Sequence, residues 1–67
     1  MKLFDYLYKN VVIVDSKGSQ HTGYVHFFTQ ALDNEENEAS IGVLPNRSSN
    51  SGIEFFESDI ASIKVID

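Results

Sequence analysis

The chain has no cysteine and no tryptophan, a single proline, four glycines, and five basic residues against ten acidic ones. Without a thiol there is neither a disulfide staple nor a thiolate metal site. Zinc knuckles and redox centres are therefore excluded, and a reducing compartment is the expected setting. The shortage of Lys and Arg weighs against a phosphate-binding face, because each phosphate contact needs a cation. Long hydrophobic runs are missing too. Stretches such as Val11–Val14 reach four residues, far short of the ~20 that span a bilayer. The start, Met1-Lys2-Leu3-Phe4-Asp5-Tyr6, has an acid at its fifth position and no apolar run of signal-peptide length, so a cytoplasmic location and no membrane partner are expected.

What is present is 67 residues of which 42 % are hydrophobic and 12 % aromatic, a globular composition rather than a disordered one. That length is one domain, residues 1–67, burying only about 60 % of the surface its unfolded chain exposes. A deep catalytic cleft is hard to build on so small a core. The net charge of −5 is concentrated: Asp33-Asn34-Glu35-Glu36-Asn37-Glu38 alone contributes −4. Outside it, six acids face five bases, which makes the remainder nearly neutral.

Along the chain, Leu3, Phe4, Leu7 and Tyr8 share one face of a short helix over Lys2–Tyr8, too short to stand without an apolar support. Asn10 ends it, and the β-branched run Val11–Val14 reads as a first strand. Asp15-Ser16-Lys17-Gly18 has Asp and Gly where a type I turn closing on a bulge needs them. A second strand runs from Gln20 to about Gln30, with large apolar groups on both faces. It must bend, and Gly23 is the place for a bulge or a close backbone approach. The acidic segment 33–38 is a connection; Ala39–Leu44 is a third strand, stopped by Pro45; 46–52 is a polar loop. Ile53–Phe56 is a fourth strand, Glu57-Ser58-Asp59 a tight corner with one turn of 3₁₀ helix, and Ile60–Ile66 a fifth strand. The fold class is thus mainly β: a short N-terminal helix and five antiparallel strands. In so short a chain these close most economically into a strongly bent small barrel, which removes exposed edges.

Val11-Val12-Ile13-Val14-Asp15 with Gly18, followed by Gly23-Tyr24-Val25 and the aromatic Phe28, resembles the first half of a Sm-like (LSm) domain. Glu54-Phe55-Phe56, Ser58-Asp59-Ile60 and Ile63-Lys64-Val65-Ile66 resemble the final two strands of that barrel. Nearly the whole chain is similar to short bacterial proteins of LSm or SH3-like type. The resemblance implies a ring of protomers joined through strands four and five, and an RNA site in the loops after strands two and four. At the positions that would hold RNA the chain departs from the pattern, with Ala39-Ser40-Ile41 and Glu57-Ser58-Asp59, so no RNA-binding residue is carried over.

Tyr24, His26 and Phe28 alternate along the second strand and can form an aromatic platform for stacking a base or a peptide proline. The plainer reading is that two of them fill the interior and His26 is a partly exposed strand residue. His21, five residues from His26, lies on the opposite strand face, so no paired-histidine metal site is expected. Asp33, Glu35 and Asn37 offer oxygen ligands, yet position 38 is Glu where an EF-hand loop needs Gly. None of the eight serines sits in a nucleophile elbow, and the paired carboxylates lie in loops where both stay ionised. No catalytic residue, metal, cofactor or small-molecule substrate is expected. Phe55 and Phe56 are adjacent and point to opposite faces. One small barrel cannot inter all of these apolar groups, so the expectation is a non-enzymatic binding module whose partner is a protein or a second copy, met through strand edges or an apolar strip. RNA is the alternative partner, on the resemblance rather than on charge.

Overall fold

The computed structural model describes residues 2–33, 35, 37–45 and 51–66; the residues 46–50 of the polar loop lie outside it. Five antiparallel strands form one sheet in the order β4-β3-β2-β1-β5. They are β1 (Asn10–Asp15), β2 (Gln20–Thr29), β3 (Ser40–Leu44), β4 (Ile53–Phe56) and β5 (Ile60–Val65), with 3₁₀ turns η1 (Leu3–Tyr6), η2 (Ala31–Asp33) and η3 (Glu57–Asp59). The β1–β2 hairpin closes as its residues require: the Gly18 N–H donates to the Asp15 carbonyl at 2.9 Å and Gly18 takes φ +88°, a conformation glycine adopts without a Cβ penalty. Asp15 Oδ1 also accepts the Lys17 and Ser19 N–H groups, at 2.9 Å each.

The core gathers Leu3, Val11, Ile13, Val25, Ile41, Val43, Phe55 and Ile60 on one face of the sheet. Every residue of β3 is buried, because β3 lies between β2 and β4 and is covered on both faces. Ile41 and Val43 enter the core, while the ring of Phe27 lies over Gly42, where a Cβ would come within 2.3 Å of it. Ser40, fully buried, donates its hydroxyl to Glu54 Oε2 at 2.8 Å.

Two expectations, the helix and the closure, are corrected, and two details of register are added. The N-terminal helix is a single 3₁₀ turn, with bonds such as Leu7 N–H to the Phe4 carbonyl at 3.1 Å. Leu7 is already extended (ψ 132°) and Tyr8 takes φ +65°, so the segment cannot continue. Three residues per turn stack Leu3 and Tyr6 on the sheet and leave Phe4 and Tyr8 exposed. The ladder does not close, since β4 and β5 are its two edges. Of the two roles expected at Gly23 the structure shows the close approach, a Cβ there meeting the Leu44 carbonyl and Val43, while the bulge of β2 falls at His26, between Val25 and Phe27. Ile60 and Ile63 both reach the core, although spacing alone puts them on opposite faces, because the register shifts between Val14 and Asp15.

Candidate functional site

Hydrogen-bond parity identifies which backbone groups the two edge strands leave open. The Glu57 N–H bonds the Ala39 carbonyl at 3.1 Å, and the ladder continues as Phe55 opposite Ile41 and Ile53 opposite Val43. Bonded and non-bonded pairs alternate in an antiparallel ladder. The N–H and C=O of Glu54 therefore face the open side of β4, whereas the N–H of Phe56 is taken by Asp59 Oδ2 at 3.1 Å. On β5 the Ile66 N–H bonds the Asn10 carbonyl at 3.0 Å, so the same alternation points the N–H groups of Ile63 and Val65 away from β1. Apolar side chains accompany both edges: Ile53 is 54 % exposed, Val65 37 % and Ile66 47 %.

Beside the β4 edge lies a cleft of about 200 Å³ lined by His21, Thr22, Val43, Pro45, Ile53 and Phe55. His21 stands on its rim with Nε2 2.8 Å from Asp15 Oδ2 and its ring edge-on to Phe55, centroids 5.1 Å apart. The Asp15 carboxyl is held below its ordinary pKa of 3.8, first by the His21 hydrogen bond and then by the Ser19 N–H. This pair ties the hairpin turn to the floor of the cleft, and so to the strand that forms the free edge.

The aromatic residues singled out in the sequence separate. Val25 enters the core, His26 is the bulge, and beyond it Phe28 rather than Phe27 packs against the core cluster. Tyr24, His26 and Phe28 thus do not share one platform; His26 instead meets Phe27, centroids 4.7 Å apart, and Phe28 meets Phe4 at 5.4 Å. Phe55 is 95 % buried in the core and contributes one wall of the cleft, while Phe56 is half-buried beyond Ser40, its cross-strand partner. His21, Ile53, Val65 and Ile66 were not singled out as site residues; the signal for His21 is an Asp at the turn's first position with a His just across the hairpin. Among the described residues no three His, Asp or Glu side chains gather as a metal site, and no helix is long and apolar enough to cross a membrane. No protein-family model, no curated protein and no solved structure matches the chain.

Proposed function

We propose that the chain is a non-enzymatic interaction module that assembles by edge pairing, β4 of one copy against β5 of the next, within a Sm-like or SH3-like small barrel. The observation that carries this reading is the pair of open edges, each with outward backbone groups and exposed apolar side chains at Ile53, Val65 and Ile66. Such edges pair with another strand unless they are protected.

The short link between the edges supports the strongly bent barrel. In a flat five-stranded sheet β4 and β5 would stand about 19 Å apart, four spacings of about 4.8 Å. Between Phe56 and Ile60 lies only the 3₁₀ turn Glu57–Asp59, and four residues reach at most about 14 Å even when fully extended. A curled sheet satisfies that link. η3 is held from both sides, with the Ser16 N–H donating to the Asp59 carbonyl at 2.9 Å and the Glu57 N–H to that of Ala39. Two different edges on one protomer give a head-to-tail contact, which forms a ring when the rotation closes.

Sedimentation velocity on the wild-type chain and on Val65→Pro tests the reading. Proline there removes an outward N–H without touching the ladder to β1, a position where edge strands tolerate it. The wild type is expected to be a multimer and the variant a monomer with unchanged β circular dichroism. A monomeric wild type up to millimolar concentration contradicts the proposal.

A further inference from the structure

We propose that Lys64 and Glu54 decide which edges pair: each bars its own strand from the same strand of a second copy, so that only unlike edges join. The inference rests on edge pairing as the mode of assembly and adds to it the residues that select the partner edge. A molecule whose sheet ends at β4 and β5 can pair β4 with β4, β5 with β5, or β4 with β5. The first two close as two-fold pairs, and only the third repeats head to tail.

Backbone bonding by itself favours two β5 strands. The outward N–H groups of β5 are those of Ile63 and Val65, while Lys64 between them pairs inward with Val12. Two β5 strands set antiparallel make the most bonds when Ile63 of each opposes Val65 of the other, because both members of both pairs face outward. That same register places Lys64 directly opposite Lys64 of the other copy. Theirs is a non-hydrogen-bonded pair, with Cα atoms only about 4.5 Å apart and both side chains on one face. Lys64 is exposed, and its cross-strand neighbour Val12 offers no carboxylate. Like charges directly opposite destabilise a strand pair, and lysine on an edge strand acts against pairing with a like edge.

On β4 the exposed Glu54 does the same. The Phe56 N–H is taken by Asp59, so the register that satisfies both open backbone groups of Glu54 sets Glu54 against Glu54 of the other copy. Its carboxylate is held beside the edge, because Oε2 accepts the hydroxyl of fully buried Ser40 at 2.8 Å. Between unlike edges no like charges meet. In an antiparallel joint Glu54 opposes Ile63 or Val65, and in a parallel joint it opposes Lys64, a charge of the other sign.

Sedimentation equilibrium on chains with one edge blocked tests this. Glu54→Pro removes the open N–H of β4 and leaves β5 free; the chain is expected to stay monomeric, because Lys64 would meet Lys64. Adding Lys64→Thr is expected to give a dimer, with a dissociation constant lowered at least about fivefold. Adding Lys64→Glu instead keeps the chain monomeric, and an equimolar mixture of Glu54→Pro with Glu54→Pro/Lys64→Glu pairs one to one. The Val65→Pro background tests β4 without the Glu54→Pro change. There Val65→Pro and Val65→Pro/Glu54→Lys are each expected to be monomers, and their mixture to pair. Circular dichroism checks that each variant is folded. A wild-type multimer that Val65→Pro dissociates, together with mixtures that fail to pair or a Glu54→Pro chain that dimerises with Lys64 in place, overturns this inference and leaves edge pairing standing. A wild type that is monomeric at millimolar concentration overturns edge pairing, and this inference with it.

Discussion

Among the described residues Tyr8 and Asn37 are the two non-glycine residues with positive φ, and Tyr8 is the bulkier. Its N–H bonds the Val25 carbonyl at 2.8 Å, the Val25 N–H bonds the Lys9 carbonyl at 3.0 Å, and its φ is +65°. Two residues thus oppose one, in a bulge whose first position takes the left-handed conformation that glycine supplies at no steric cost. A bulky side chain there costs about 1–2 kcal/mol, and Tyr8 is 65 % exposed, so little packing offsets it. Against the extra unfolded-state entropy of glycine, Tyr8→Gly is expected to gain about 0.5 kcal/mol net, a rise of a few degrees in Tm by thermal denaturation. At the other end of β1, Asp15 makes stability depend on acid. Its carboxyl is held below the ordinary 3.8 by the His21 bond. The resulting stabilisation is complete above that value and disappears as pH falls through the lower folded-state value. Denaturant melts of wild type and Asp15→Asn are expected to differ by a constant amount above about pH 5 and to converge in acid below about pH 4; a gap that persists in acid contradicts the assignment to the ionised carboxyl.

At the scale of elements, the strands were legible because β-branched and alternating runs sit between turn residues. Asp15 with Gly18 announced the hairpin, and Pro45 ended β3. What was not legible depends on register. The bulge at His26 exchanges the faces of Phe27 and Phe28, and nothing in His26 itself signals it, since a bulge is set by how β2 must cross β3. The helix over Lys2–Tyr8 failed for a similar reason: Leu3, Phe4, Leu7 and Tyr8 have helical spacing, but the demand that Tyr8 and Lys9 pair with Val25 overrides it. At Gly23 the sequence pointed to the right place, and the structure selects close approach over a bulge. A Cβ there would meet the Leu44 carbonyl at 2.2 Å and Val43 Cγ1 at 2.6 Å, where backbone yields little. Gly23→Ala is expected to lose about 2 kcal/mol in denaturant unfolding, a large share of the ~3–10 kcal/mol a domain of this size possesses.

For the whole molecule, the sequence reading named strand edges as the means of binding but not that the ladder stays open at β4 and β5. Economy favoured closure, whereas the ladder ends at β4 and β5 with outward backbone groups beside Ile53 and Val65. Edge exposure at both ends of one sheet, together with a link of three residues between them, is what an assembling module requires. Amide hydrogen exchange followed by NMR at low and high protein concentration tests this most directly, because it reads the outward groups one by one. The account predicts that the Glu54, Ile63 and Val65 amides exchange rapidly in dilute protein and become protected together as concentration rises, while the core amides do not change. Rapid exchange of all three at every concentration would contradict it.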